Sequence, residues 1–200
     1  MPVSATIDVY LLSYDNNKNL VQTPNDPIGV NLKTYLNEFR MITDEVNLKP
    51  GYIINFGVVF DVFSNKDANK QGVKLRCMDV IERYFNIIKL QFRQPIYVSQ
   101  LEYELMGVEG VRAINHVCIT QDNNYLDSSE FGTFDPPLWF TQWNPDAIGG
   151  AGGWEDTGTS GYGYKYNFQA ALQEGVIRPS KTPAVFELKN PGINIKGRVR

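Results

Sequence analysis

The feature that most constrains the fold is the run from Tyr52 to Phe63, in which every even position is apolar. The odd positions mix apolar residues with Asn55, Gly57 and Asp61. Because successive side chains point to opposite sides of a strand, this run predicts a long strand with one fully buried face and one partly buried face. A strand of this kind is expected to lie in the centre of its sheet.

Helices and further strands are predicted around this central strand. Alternation over 5–14 and 111–121 predicts strands, and helical spacing of apolar residues predicts helices over 27–42, 67–85 and 99–106. This order predicts an α+β fold, with a small sheet and two to three helices packed on one of its faces. The nearest common arrangement is ferredoxin-like.

Capping residues mark where the helices begin and end. Asn65 or Asp67 is suited to cap the second helix, because short polar side chains accept hydrogen bonds from the first turn. Ser99 and Glu102 have the spacing of a capping box at the start of the third helix. Gly107 stands where a C-cap glycine belongs.

Charge divides the 200-residue chain more clearly than its overall composition does. Residues 113–164 contain seven acidic residues and no Lys or Arg, whereas residues 165–200 contain seven basic and two acidic residues. The composition, 42% hydrophobic and 20% charged, is that of an ordinary globular protein. We therefore predict a head domain over 1–121 and an extended, loop-rich C-terminal arm with short strands over 122–200.

Aromatic residues are concentrated in the acidic part of this arm. Residues 125–168 hold 11 of the 25 aromatics and all three tryptophans, and residues 144–163 hold seven glycines without a helix or strand period. Aromatic residues are enriched at interfaces, and opposite charges favour contact between subunits over an intramolecular wrap. The residues predicted to form an interface are Trp139, Phe140, Trp143, Trp154, Tyr162, Tyr164, Tyr166, Arg198 and Arg200.

No catalytic, cofactor or metal site is predicted. His116 is the only histidine, and the chain has no G-x-S-x-G elbow, phosphate-binding glycine motif or calcium loop. Glu102, Glu104 and Glu109 could pair with other acids as a glycosidase dyad, but the preferred interpretation is structural, because acids near a helix start interact favourably with the helix dipole. The chain is therefore not expected to be an enzyme or to bind a small-molecule substrate.

The sequence also predicts the compartment and excludes two partner classes. The N-terminus lacks the pattern of a signal peptide, and no stretch approaches 18 consecutive apolar residues. Cys77 and Cys118 are predicted to be small buried residues in a protein folded in a reducing cytoplasm. The basic tail is too sparse for a nucleic-acid-binding arm, so neither nucleic acid nor membrane is an expected partner.

Several long segments resemble one family. These are VYLLSYDNN, NLKTYLNEFRMITDEVNL, GYIINFGVVFDV, LRCMDVIERYF, QFRQPIYVSQLEYELMGVEGVRAINHV and VFELKNPGINIKGRV. They resemble the C-terminal part of the baseplate wedge protein of T4-type contractile-tailed bacteriophages, within the baseplate J-like group. The resemblance covers nearly the whole chain and is strongest over 9–121 and 160–200. Chains of that family are normally longer.

The resemblance implies a structural virion protein, assembled in the host cytoplasm and located in the tail baseplate. Its partners would be copies of itself, in pairs, and other baseplate wedge proteins in a ring that rearranges on contraction. Two other classes remain open on the residues alone. One is a carbohydrate- or ligand-binding module that uses Trp139, Trp143 and Trp154 as stacking platforms, and the other is a hydrolase built on acidic residues.

Overall fold

A computed structural model describes residues 5–14, 20–21, 27–40, 44–86, 91–121, 141–144, 153–156, 166–179 and 183–200. The helices are α1 (Pro27–Phe39), α2 (Lys70–Tyr84), α3 (Val98–Met106), α4 (Phe168–Ala171) and α5 (Pro191–Asn194). The strands are β1 (Ala5–Leu11), β2 (Ser13–Tyr14), β3 (Leu20–Val21), β4 (Asp44–Pro50), β5 (Tyr52–Asn55), β6 (Gly57–Ser64), β7 (Ile96–Tyr97), β8 (Val111–Thr120), β9 (Thr141–Asn144), β10 (Gly153–Asp156), β11 (Leu172–Gln173), β12 (Val176–Ile177), β13 (Ala184–Glu187) and β14 (Ile195–Val199). The fold is mixed α+β, as the sequence predicts.

The strands are organised along one extended segment, residues 44–64, which we call the spine. It consists of β4, β5 and β6, separated only by Gly51 and Phe56. Strands β1, β13 and β14 run parallel to β4, β5 and β6 respectively, and β8 pairs with β6 in the antiparallel direction. The amides of Gly51 and Phe56 donate to Leu11 and Glu187 carbonyls at 2.9 and 3.2 Å, so pairing continues across the two interruptions.

The main hydrophobic core lies on the even-numbered side of the spine. Ile54, Phe56, Val58, Phe60 and Val62 are fully buried there. They pack against side chains from three other parts of the fold, namely α2 (Val73, Cys77, Ile81), α3 (Leu101, Leu105) and the C-terminal segment (Phe168, Phe186, Ile195). The predicted burial of this face is confirmed.

The odd-numbered side of the spine is more completely buried than the sequence suggests. Every residue from 53 to 62 is buried, including Asn55 and Asp61. Ile53 forms a second, smaller apolar cluster with Leu20 and Val185. Within the run from Tyr52 to Phe63, the exposed part of this side begins only at Phe63, which is 39% exposed.

The C-terminal residues complete the core of the head. Strands β13 and β14 pair with the spine, and their side chains join the same apolar cluster as those of α2 and α3. The predicted boundary at residue 121 therefore does not coincide with a break in the core, and residues 166–179 and 183–200 pack with the head. The described strand order, β14-β6-β8, does not confirm a ferredoxin-like arrangement.

The three long helices lie where periodicity predicts them, although their caps differ. The side chain of Asn69, and not that of Asn65 or Asp67, accepts hydrogen bonds from the amides of Gln71 and Gly72. Helix α3 begins after Tyr97 without a side-chain cap, so the predicted capping box is not formed. Gly107 is its C-cap residue, as predicted, but with ordinary helical backbone angles.

The predicted C-terminal arm does contain short strands. Strand β10 lies in the glycine-rich segment 144–163, where the sequence shows no helix or strand period, and it pairs with β9 in the antiparallel direction. Ile193 and Asn194 close the short helix α5, and β14 begins at Ile195. In the segments that the structure describes, no helix combines the length and apolarity needed to cross a bilayer.

Gly197 provides a test of how closely β14 packs on the spine. It stands opposite Phe60, and a Cβ atom at this position would overlap the Phe60 ring, which is fully buried. Because the ring has no room to move, we expect Gly197→Ala to lower the free energy of unfolding by about 1–3 kcal/mol.

Gly192 supplies the matched control, since an added Cβ there meets nothing within 4 Å. Urea unfolding of Gly192→Ala should differ from the parent by less than about 1 kcal/mol. Equal stability of the two variants would contradict the close approach of β14 to the spine.

Candidate interaction face

A buried carboxylate organises the odd-numbered side of the sheet β14-β6-β8. One oxygen of Asp61, Oδ2, lies 2.8 Å from Arg198 Nη2, 2.9 Å from Arg200 Nη2 and 3.0 Å from Asn115 Nδ2. The side chain of Asp61 is only 5% exposed, whereas those of Arg198 and Arg200 are 27% and 46% exposed. Three donors from two strands therefore converge on one acceptor beneath the surface.

The sequence places these groups together through strand register. Arg198 of β14 and His116 of β8 both stand opposite Asp61 of β6, and register partners lie on the same side of a sheet. A register irregularity between Asp61 and Val62 adds one residue, Asn115, to β8 at this point. Bulges of this type redirect a side chain, and Asn115 donates its amide hydrogen to Asp61.

The electrostatics of Asp61 follow from these contacts. Burial alone raises the pKa of its carboxyl, but the hydrogen bonds from Arg198 and Asn115, with the positive charges of Arg198 and Arg200, outweigh burial and lower the pKa. The folded protein therefore holds Asp61 as a carboxylate. A carboxyl with a lowered folded pKa contributes stability above its unfolded pKa, and this contribution disappears as the pH falls through the folded value.

The exposed end of this side carries an excess of positive charge. Lys196 stands opposite Val59 on the same side as Arg198, and Arg200 lies with its guanidinium 6.0 Å from the centre of the Phe63 ring. We call Asp61, Phe63, Lys196, Arg198 and Arg200 the charged face. It combines three bases with one acid and one partly exposed aromatic ring.

A second polar group occupies the opposite end of the odd-numbered side. Glu187 stands opposite Asn55, and its Oε1 accepts a hydrogen bond from the amide of Leu20 at 2.7 Å. Gln121 donates to the Asn55 carbonyl at 2.6 Å and accepts from the Tyr166 amide at 2.8 Å. The side-chain amide of Asn55 is buried without a hydrogen-bond partner, which costs about 1–3 kcal/mol. These contacts tie residues 121 and 166 to the end of β5.

The predicted interface residues fall in different environments. Arg198 and Arg200 lie on the charged face, where both are paired with Asp61. Tyr166 is half-buried and packs edge-on against Phe168 and Phe186, and its hydroxyl donates to the Arg178 carbonyl. Tyr166 is therefore part of an intramolecular aromatic cluster.

Two of the three tryptophans lie in strands that the structure describes. Trp143 of β9 and Trp154 of β10 are direct register partners in the antiparallel pair. Trp139, Phe140, Tyr162 and Tyr164 lie outside the described residues. Their assignment to an interface remains a prediction.

A groove of about 810 Å³ lies between α2 and α3. Its wall combines arginines with acids, including Arg76, Arg83, Asp79, Glu104 and Glu109. Tyr84 also lines it, and its hydroxyl donates to the Tyr97 carbonyl at 3.1 Å. Of the three glutamates singled out in the sequence, Glu104 and Glu109 line the groove. None of its lining residues is one of the predicted tryptophan platforms.

The remaining candidates for chemistry are distributed through the fold. Cys77 is a fully buried free thiol, and burial raises its pKa to about 11. Cys118 is half-buried on β8, two residues from His116, and its thiol donates to the Ile119 carbonyl at 3.6 Å. Among the described residues, no group of three or more His, Cys, Asp and Glu side chains is placed to hold a metal ion.

Comparison with known proteins does not identify the chain. No protein-family model matches it. No curated protein matches it either.

The sequence identified Arg198 and Arg200 as candidates but did not identify Asp61, the carboxylate with which both are paired. The available signal was Asp61 itself, a lone acid in an otherwise apolar strand, which requires a charged partner if it is buried. The identity of that partner depends on register between residues 137 positions apart. No local pattern contains this information.

Replacing Asp61 tests the buried ion pair. Asp61→Asn leaves the donor groups of Arg198 and Arg200 without their anion, so we expect the free energy of unfolding at pH 7 to fall by about 3 kcal/mol. The difference from the parent should begin to narrow below about pH 4, where Asp61 of the unfolded chain takes up a proton, and it should disappear only as the pH falls through the lower folded pKa. Urea unfolding at pH 7 and pH 3 measures both effects.

The exposed pair between Asp8 and Lys49 supplies the control. These residues are joined at 2.6 Å, with side chains 35% and 46% exposed. Because exposed pairs contribute little, Asp8→Asn should change stability much less than Asp61→Asn. A similar loss in both variants would show that Asp61 has no special role in stability.

Proposed function

We propose that the chain is a structural component of a phage tail baseplate wedge, without enzymatic activity. In this role it contacts copies of itself and other wedge proteins in the inner ring of the virion baseplate. The proposal is supported by the resemblance of its long segments to the wedge family. The structural observation that carries it is an apolar side of a helix that stays exposed among the residues that the structure describes.

That face belongs to α1, which the apolar spacing predicts as a helix packed on the sheet. The helix does contact β4, but Gly29 is its only fully buried residue. Ile28, Tyr35 and Phe39 are 63%, 58% and 70% exposed. Their spacing of seven and four residues places them along one side of the helix, and the Tyr35 and Phe39 rings lie 4.8 Å apart. Exposed apolar side chains grouped in this way are typical of protein–protein contact surfaces.

The competing function is binding of a carbohydrate or another ligand by the aromatic segment. The direct register of Trp143 and Trp154 favours it, because it brings two predicted stacking residues to the same point of a strand pair. The two functions predict different behaviour of the isolated chain in solution. Binding of an oligosaccharide by an isolated monomer, lost in Trp143→Ala, would support the ligand-binding module and contradict the wedge assignment.

The apolar face of α1 gives a test of the assembly role. We expect Tyr35→Ser with Phe39→Ser to weaken association with co-expressed neighbouring tail proteins, or with further copies of the chain, by about tenfold or more. Stability should be nearly unchanged, since both rings are largely exposed. Light scattering after size-exclusion chromatography measures the assembly, and thermal unfolding measures the stability.

Helix α3 offers a matched control, since Tyr103 and Met106 are 79% and 59% exposed. The double variant Tyr103→Ser with Met106→Ser should retain assembly. A parent chain that stays monomeric and binds none of the neighbouring tail proteins would overturn the proposed function.

A further inference from the structure

The charged face has more positive charge than its fold requires. Asp61 needs one guanidinium to be neutralised, but it receives two, and Lys196 adds a third base on the same side. Arg200 keeps 46% of its side chain exposed, and Phe63 beside it is 39% exposed. An exposed cluster with excess positive charge and an aromatic ring is suited to bind a segment that is acidic and aromatic.

The chain itself contains one such segment. Residues 122–164 hold seven acidic residues, nine aromatics and no Lys or Arg. Acidic side chains complement the surplus positive charge that Lys196 and the second guanidinium on Asp61 give this face, and aromatic rings pack on Phe63 and on the flat guanidinium of Arg200. A polyanion such as nucleic acid fits less well, because the carboxylate of Asp61 stands in the centre of the face and the whole chain has a net charge of −3.

The attachment points of this segment lie away from the charged face. Gln121 and Tyr166, which flank it, are hydrogen-bonded to each other and held at Asn55. Asn55 precedes Asp61 by six residues along the spine, a distance of about 20 Å at the rise of a strand. Since each copy carries both the face and the segment, two copies can exchange segments and make two equivalent contacts, as in a closed symmetric dimer.

We propose that the charged face binds the acidic segment 122–164 of a second copy of this chain. This inference rests on the proposed function, because it names the surfaces through which copies contact each other. It assigns Lys196, Arg200 and Phe63 to direct contact with the partner. Asp61 and Arg198 act as positioning residues that hold this edge of the sheet.

The first experiment reverses charge on the face of the full chain. Lys196→Glu with Arg200→Glu should weaken self-association by about tenfold or more, measured as a dissociation constant by sedimentation at low salt. Arg198 stays unchanged, because it is the more deeply buried of the two arginines on Asp61. The control, Lys66→Glu with Lys70→Glu, makes the same charge change at two exposed positions and should retain parent-like self-association.

The second experiment separates contact between copies from contact within one copy. Reversing the acids Asp122, Asp127 and Glu130 to Lys should also weaken self-association of that variant alone. Mixing it with the Lys196→Glu, Arg200→Glu variant restores opposite charges only between different molecules. We expect the mixture to form a mixed dimer whose affinity falls as salt is raised.

Each other outcome overturns the inference in a recognisable way. If both charge-reversed variants still self-associate, the contact between copies is excluded. It is also excluded if mixing the two variants does not restore association. The Lys196→Glu, Arg200→Glu variant could instead lose binding to a single-stranded oligonucleotide while its self-association stays unchanged. That result would assign the charged face to nucleic-acid binding. In either case the proposed function stands as long as the parent chain still binds neighbouring tail proteins, so the two failures are distinguishable.

Discussion

Burial of residues 53–62 of the spine on both sides is the constraint on which the rest of the structure depends. A strand with two buried faces requires cover from two directions and hydrogen-bond partners along both edges. The chain supplies these partners from both of its ends, with β1 beside β4, and β13 and β14 beside β5 and β6. The C-terminal residues are consequently part of the core, and the order of elements along the chain does not reveal the order of strands in space.

The same constraint explains the chemistry of the odd-numbered side. A carboxylate in a buried strand is tolerated only when opposite charge and hydrogen bonds compensate for the loss of water. Asp61 meets this requirement through Arg198 of β14, through Arg200 just after that strand and through Asn115 at the irregularity in β8. Because the two arginines extend outward from Asp61, the compensation of a buried charge also creates an exposed positive surface.

Two surfaces of different chemistry therefore remain available for association. The apolar side of α1 suits a contact driven by removal of apolar area from water, and the charged face suits one driven by complementary charge. Helix α1 contacts β4, and the charged face is built on β6 and β14, so the two surfaces belong to opposite ends of the spine.

The sequence by itself determined the local elements. Alternation of apolar residues identified the central strand, and helical spacing of apolar residues identified α1, α2 and α3. These patterns can be found in the sequence because they depend only on neighbouring residues. It also identified Arg198 and Arg200 as residues of interest through the charge of the tail. Only the tertiary structure decided that Asp61 is their partner, that Tyr166 belongs to the core and that the stripe on α1 stays exposed. The physical reason is that each of these outcomes depends on contacts between residues far apart in the chain, and local periodicity carries no information about which distant strand comes to lie beside a given residue.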